Sequence, residues 1–369
     1  MFLKRGLAAA LAAAAVMGLS GCGGSDDAAE TATVKKGFVE KKVEPVNFDS
    51  GVALKEDCRR FIYALGNAPA TIDAAKFFKM RLEQESDGAL SCDIYTDNVL
   101  GSERELLESC QFGDYDIVLA TNAPVASFEN DIFCLDIPWL FDNKQQVYEV
   151  LDGPLGDHLA EGLEKSGFKL LQWQENSFRT LSTNKPIKDM SDLKGVKIRI
   201  MENELQLQQW KNYRANPTPM AFTELFTALQ QKTVDAQDNG AELTWQTKFY
   251  EVQSHYTYTK HIYSPYLILM SKETFDSLPP EQQEIVLKVS DEAVAYERKR
   301  CDEYEKVALE NIKNCGTMQY NDLDPKVKAE MVKACEGLKE MAYDKVTDPA
   351  VVDLLYQEVA KAKEKFPEE

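Results

Sequence analysis

Arg199 stands in the stretch of this chain best suited to hold an anion. The run Asp192-Leu193-Lys194-Gly195-Val196-Lys197-Ile198-Arg199-Ile200 reads as a helical turn, a glycine break and a strand. Val196, Ile198 and Ile200 alternate with Lys197 and Arg199, so Ile198 and Ile200 can face a core while Arg199 projects from the opposite face near the strand's end. In open α/β sheets, ligands sit beyond the ends of strands. A guanidinium there offers a planar fork of donors that matches a carboxylate bidentately. By itself the run fits a surface strand with a solvated Arg better, since most charged residues are simply exposed.

Little else points to chemistry. GxSxG, HExxH, GxGxxG and P-loop motifs do not occur. With 61 acidic residues in 369, a chance pair of carboxylates carries no information. Of the three histidines, His158, His255 and His261, only the last is expected near a cleft, and it reads as a structural histidine. With no CxxC and only these three histidines, a zinc site is not expected; no other metal and no cofactor is expected either. The net charge of −19 disfavours a nucleic-acid partner. It also repels anions at long range. Salt screens that repulsion beyond roughly 8–10 Å, so an anionic ligand needs a local basic pocket.

The elements that must carry such a pocket follow from periodicity. Hydrophobic content of 44% and charged content of 28% suit a globular chain long enough for two cores. Arg60 to Leu65 reads as a strand. Thr71 to Ser86 reads as a helix with Ile72, Ala75, Phe78 and Leu82 on one face, stopped by Gly88, and Leu90 to Tyr95 as the next strand. Ser102 and Glu105 form a capping box for a helix whose apolar side is Leu106, Leu107 and Cys110, and Asp116 to Ala120 is a third strand. This β-α-β-α-β order predicts a parallel sheet with right-handed crossovers. Its strand-end loops, Gly66-Asn67-Ala68, Asp97 to Gly101 and Thr121-Asn122-Ala123, suit a ligand rim or plain turns.

Further on, helices are expected over Lys144–Leu151 and Leu155–Lys165, and strands over Phe168–Gln174 and Phe178–Thr183. After Val196–Ile200 come a helix from about Glu204 to Tyr213, a strand at Pro219-Met220, a helix over Thr223–Gln231, and strands over Val234–Gln237 and Tyr263–Met270. Residues 280 to about 313 form one unbroken helical pattern, roughly 50 Å long at 1.5 Å per residue. Two amphipathic helices, about 325–342 and 348–363, close the chain and should cover the second of two lobes.

At the N-terminus, Lys4-Arg5 precede an apolar run from Gly6 to Leu19 that is too short to span a bilayer comfortably. It ends in Leu19-Ser20-Gly21-Cys22, which resembles a lipobox: a lipoprotein signal peptide over 1–21, with Cys22 lipidated. Residues 22–57 read as a flexible tether, polar and charge-mixed, with Phe38-Val39 as a pair that could dock. Seven cysteines remain, an odd number. Cys58 and Cys92 flank the starts of two strands that should be neighbours. They are either a disulfide or small core residues.

The order of several fragments resembles the solute-binding receptors of TRAP (tripartite ATP-independent periplasmic) transporters, the DctP-like family. They are Leu100-Gly101-Ser102-Glu103-Arg104-Glu105-Leu106-Leu107, Trp173 to Arg179, Asn184-Lys185-Pro186-Ile187, the Arg199 run, Ala215-Asn216-Pro217-Thr218-Pro219-Met220, Thr223 to Leu229, Val234-Asp235-Ala236-Gln237-Asp238-Asn239 and Leu278-Pro279. The resemblance covers nearly all of the chain after about residue 58. It implies an α/β, two-lobed periplasmic-binding-protein-like fold of type II character, with mixed sheets flanked by helices and one long helix spanning both lobes. Lobe I would comprise 58–175 plus 265–303, and lobe II 176–264 plus 304–369.

It further implies no catalysis. A small organic acid binds in the interlobe cleft, held by Arg199 with Arg179 assisting and Asn239 orienting the carboxylate. The protein, a monomer attached to the membrane only through its lipid anchor, delivers the acid to the TRAP membrane permease subunits. Candidate walls are Trp173, Glu175, Pro219, Phe222 and Trp245, with Asn67, Glu103 and Asn122 from lobe I. The chain departs from the family's pattern at Ala236, a usual Gly, at Tyr213-Arg214, a usual Leu-Gly, and at Ala221, a usual Pro. These departures bear on the choice of substrate. An enzyme, an ABC-type binding protein and a sensor's ligand-binding lipoprotein are the competing assignments.

Overall fold

The computed structural model describes residues 33–368, so the signal peptide and Cys22 fall outside the described residues. The chain first forms β1 (Arg59–Ala64), α1 (Pro69–Glu85), β2 (Leu90–Tyr95), α2 (Glu103–Gln111), β3 (Ile117–Thr121), α3 (Asn122–Val125), α4 (Lys144–Leu151), α5 (Pro154–Lys165) and β4 (Phe168–Gln174). It continues through β5 (Phe178–Thr183), β6 (Lys197–Ile200), α6 (Glu204–Asn212), β7 (Asn216–Pro219), α7 (Phe222–Gln230), β8 (Ala236–Asn239), α8 (Ala241–Gln246) and β9 (His255–Tyr263). It ends with β10 (Tyr266–Ser271), α9 (Lys272–Asp276), α10 (Pro280–Asn314), β11 (Gln319–Asp322), α11 (Pro325–Ala334), α12 (Leu338–Lys345) and α13 (Ala350–Lys365).

These elements build two mixed sheets. The first runs β2-β1-β3-β10-β4; β1 is parallel to β2 and β3, as the βαβ order predicts, and β10 is antiparallel to β3 and β4. The second runs β11-β9-β5-β8-β6-β7, with β6 parallel to β7 and β8. The chain crosses between sheets at the short joints from β4 to β5 and from β9 to β10, and a third time through α9 and α10 on the way from β10 to β11. The sheets define two lobes, and these joints are the natural hinge.

Sequence pattern explains the layers. All five residues of β3 are buried, because helices cover both faces of the sheet. Val118 and Ala120 join one apolar cluster, while Ile117 and Leu119 join the other with α1 and α10. The expected capping box of α2 is present, with Ser102 accepting from the Glu105 amide and Glu105 accepting from the Ser102 amide. Helix α10 is 35 residues long, roughly 50 Å. Val286, Val289 and Ala293 pack it into the first lobe, and Ala308 and Ile312 pack it beside Trp245 and Tyr256 of the second.

Three expectations need correction. Residues 33–57, expected to be the outer part of a flexible tether, carry no regular element yet lie along α10, because their main chain and aromatic rings find fixed partners there. Cys58 and Cys92 are not bonded, and every described cysteine is a free thiol. The register explains why: Cys92 pairs with Phe61, which places Cys58 three residues away, about 10 Å along the strand and beyond disulfide reach. Finally, the C-terminal pattern breaks into three helices, and α13 does not cover the second lobe. Its buried stripe of Val351, Val352, Leu355, Val359 and Ala362 lies in the cluster shared with α4 and α5.

Candidate functional site

Between the lobes lies a cavity with about 670 Å³ of space free of protein atoms, part of it open to solvent. The first lobe contributes its strand-end loops: Gly66 and Asn67 after β1, Asn98, Ser102, Glu103 and Arg104 at the entry to α2, and Thr121 at the end of β3. Tyr266 enters from β10. The second lobe contributes Asn176 and Arg179, Arg199 with Met201 and Glu202 at the end of β6, Met220 to Thr223 at the start of α7, and Asn239 with Leu243.

Arg199 reaches the cavity because β6 alternates. Ile198 and Ile200 are fully buried in the core behind the sheet, which turns Arg199 the other way. Arg199 is itself only 3% exposed. Its Nε donates to the Met220 carbonyl oxygen at 2.9 Å, and its guanidinium carbon sits 6.0 Å from the centre of the Phe222 ring. It has no carboxylate partner among the described residues within ion-pair distance. Burial, and then the neighbouring Arg179, pull its proton affinity down to about 10, which still leaves it cationic at neutral pH.

Arg179 differs. Its Nε donates to Asp238 Oδ2 at 3.1 Å and its Nη2 to Asp238 Oδ1 at 3.0 Å, with a further bond to the Asp238 carbonyl oxygen. Asp238 also meets His261 Nε2 at 3.0 Å, and Thr259 Oγ1 lies 2.7 Å from His261 Nδ1. Arg179, Asp238 and His261 are all buried. Despite the burial that opposes it, the arginine and the histidine hold the Asp238 carboxyl far below the usual carboxylate range. Arg179 is therefore a neutralised cation and Arg199 an open one. His261 has the structural part expected of it, behind the cavity.

Glu103 faces these arginines from the first lobe. It accepts from the Thr121 amide at 3.1 Å and from the Thr121 hydroxyl at 2.6 Å. Burial pushes its carboxyl upward, opposed by the Thr121 donors and by Arg199 and Arg179. Asn239 Nδ2 donates to Gln237 Oε1 at 2.5 Å. Arg199, Arg179, Asn239, Asn67, Glu103 and Phe222 thus share one cavity.

The other five candidates stand elsewhere. Asn122 turns into a buried knot, donating to Asp136 Oδ2 at 2.9 Å and accepting from Ser264. Trp173 belongs to the first lobe's core. Glu175 points to the far side of the hinge, bonded by the Tyr148 hydroxyl and the Ser177 amide. Pro219 is an exposed residue of the edge strand β7. Trp245 lies on the outer face of α8, its Nε1 donating to Glu40 at 2.9 Å. In each case the local backbone turns the side chain away, one to three positions from a residue that does line the cavity.

The residues missed, among them Asn98, Asn176, Thr121, Met201 and Tyr266, are polar or bulky neighbours of those chosen. Asn98 and Thr121 lie in the loops expected to form a rim. Nothing in the sequence ranks them above their neighbours.

Of the departures from the family's pattern, Ala221 alone lines the cavity. Ala236 is fully buried in the core, and Arg214, at φ +63°, is exposed.

Residues 63–345 match the bacterial extracellular solute-binding protein family 7, DctP. The 2,3-diketo-L-gulonate-binding periplasmic protein YiaO of Escherichia coli is 33% identical over 72% of this chain and 82% of its own length. The C4-dicarboxylate-binding periplasmic protein DctP of Rhodobacter capsulatus is 29% identical over 71% of this chain and 79% of its own. Among solved structures, the sugar acid binding protein DctPAm of Advenella mimigardefordensis, in complex with galactonate, superposes with a TM-score of 0.80 at 30% identity, covering 83% of this chain and 99% of that one. With its two sheets, its interlobe cavity and a family match across most of its length, the chain belongs to the DctP family of TRAP periplasmic solute-binding proteins, a family of receptors rather than enzymes.

Proposed function

We propose that this receptor captures a small hydroxylated monocarboxylic acid of the sugar-acid class, that Arg199 holds the carboxylate, and that the loaded protein delivers it to a TRAP permease. The observation that carries the proposal is the buried Arg199 guanidinium without a carboxylate partner among the described residues, aimed into a cavity. A charge-assisted hydrogen bond is worth about 1.5–3 kcal/mol, whereas micromolar affinity needs about 8 kcal/mol. The amides of Asn67, Asn98, Asn176 and Asn239 line the same cavity. Neutral hydrogen bonds from ligand hydroxyls to such groups, at about 0.5–1.5 kcal/mol each, supply the rest.

Charge distribution favours one carboxylate over two. Asp238 neutralises Arg179, Arg104 pairs with Glu108, and Glu103 and Glu202 also line the cavity. A second ligand carboxylate would face these acids. Galactonate-binding and 2,3-diketo-L-gulonate-binding relatives agree with this choice, and the C4-dicarboxylate-binding relatives offer the contrast. Calorimetry with D-galactonate and succinate tests the class: tight binding of the first and weak binding of the second supports it, and the reverse order refutes it. Attachment to the membrane through a lipid on Cys22 is part of the same proposal and rests on the Leu19-Ser20-Gly21-Cys22 run.

A further inference from the structure

The segment before β1 crosses from one lobe to the other along α10, in contact with both. At the second-lobe end, the Lys35 amide donates to the Cys315 carbonyl at 2.7 Å, and Phe38 meets the Trp245 ring edge-on with centroids 5.8 Å apart. Glu40 accepts from Trp245 Nε1 at 2.9 Å. In the middle, Lys41 and Asn311 exchange two bonds of 2.9 Å, amide to Oδ1 and Nδ2 to carbonyl. Arg300 Nη2 donates to the Glu44 carbonyl at 3.0 Å. At the first-lobe end, Phe48 packs edge-on against Tyr296, Ser50 Oγ donates to Glu83 at 2.6 Å, and the Lys55 amide donates to the Gly88 carbonyl at 3.0 Å.

Two glycines make room at opposite ends. A Cβ on Gly88 would strike the Ala53 carbonyl oxygen, and one on Gly316 would lie 2.8 Å from Lys35 Cβ. Both have positive φ, +75° and +80°, so each site favours glycine twice over.

The segment also lies behind the cleft. Helix α8 presents Leu243 to the cavity and Trp245 to the segment. On the cleft side the lobes are drawn together, with Thr121 Oγ1 of the first 3.5 Å from Met201 Sδ of the second. These contacts therefore coexist with a narrow cleft. The galactonate-binding relative is covered over 99% of its length by 83% of this chain, and the family match begins only at residue 63, so the segment adds to the shared fold.

We propose that residues 34–57 form a strap that holds the lobes in the narrow-cleft conformation. Opening must move α1 and α8 relative to each other across α10, and the strap is fastened to all three. Bonds made in one conformation and lost in the other bias the equilibrium toward the first. The strap thereby raises affinity for any ligand that needs a narrow cleft, without touching the ligand.

The test needs no ligand. A fluorophore pair introduced through unnatural residues at exposed Val99 in the first lobe and exposed Thr227 in the second reports the width of the cleft in the full chain. In the variant Phe38→Ser/Glu40→Ala, and in a second variant lacking residues 34–47, single-molecule energy transfer should show the wide-cleft population rising about tenfold, within the usual range of such couplings. An unchanged or narrowed distance distribution in the variant lacking residues 34–47, with intact far-UV circular dichroism, overturns the proposal.

Discussion

Replacing Arg199 by Met separates binding from folding, and the structure sets the size of both effects. A bidentate carboxylate contact comprises two charge-assisted bonds, together about 3–6 kcal/mol, which converts to roughly 10²–10⁴ in dissociation constant. The fold loses much less. Arg199 has one hydrogen bond, to the Met220 carbonyl, and its charge is buried beside Arg179. Removing that bond, itself charge-assisted, costs about 1.5–3 kcal/mol, offset by relief of an unpaired buried cation. The thermal midpoint of Arg199→Met should therefore match the wild type or exceed it.

Arg179→Met should behave in the opposite way. It leaves Asp238 buried with only His261 as a partner in place of the ion pair, and breaking a buried pair costs about 3–5 kcal/mol. Calorimetry with the acid that ranks first in a thermal-shift screen, together with melting curves of both variants, reads the two effects. If Arg199→Met binds within threefold of wild type, or melts as low as Arg179→Met, the assignment of an open and a neutralised arginine is refuted.

Three further outcomes follow from particular contacts. Glu103→Gln removes an acid that lines the cavity from the first lobe, so affinity for succinate should rise about tenfold, the scale of a screened charge–charge term at several ångströms; calorimetry showing no gain counts against the single-carboxylate class. Asp136 accepts from Asn122, Asn203 and Gln206 without a cation in contact, and burial pushes its carboxyl up to about 7. A raised acid stabilises the fold below its unfolded value of about 3.9 and loses that contribution as pH rises toward 7, at up to about 1.4 kcal/mol per pH unit. Urea titrations should show a slope of that sign between pH 4 and 7, flattened in Asp136→Asn; equal slopes in both proteins would dismiss it. Cys22→Ser should shift the protein from the membrane fraction to the soluble one, as fractionation and labelling with an alkyne-bearing fatty acid will show.

Much of the scaffold was legible in the residues alone. The apolar period of α10, the capping box at Ser102 and Glu105, and the alternation around Arg199 are local patterns, and local patterns survive any tertiary arrangement. The site was legible to the extent that strand alternation governs it: Arg199 and Arg179 stand on strands and reach the cavity. It was illegible where a turn of a helix or the exit angle of a loop decides. Thr121 faces the cavity while its neighbour Asn122 is buried beneath it, and Glu175 points away while Asn176 points in. A shift of one position in such places reverses a side chain, and no periodicity records it.

Sequence by itself determined most elements from β1 to α10 and the position of an arginine able to hold a carboxylate, because each depends on neighbours a few residues apart; the two-lobed class came with the family resemblance, and β9, β11 and α8 went unread. Only the tertiary structure decided which arginine is free. Asp238 lies 59 residues from Arg179, and that pairing exists only once β5 and β8 lie side by side. The strap was decided in the same way. Its residues are polar and aperiodic, and they are ordered by partners on α10 some 270 positions away, which no local signal can announce.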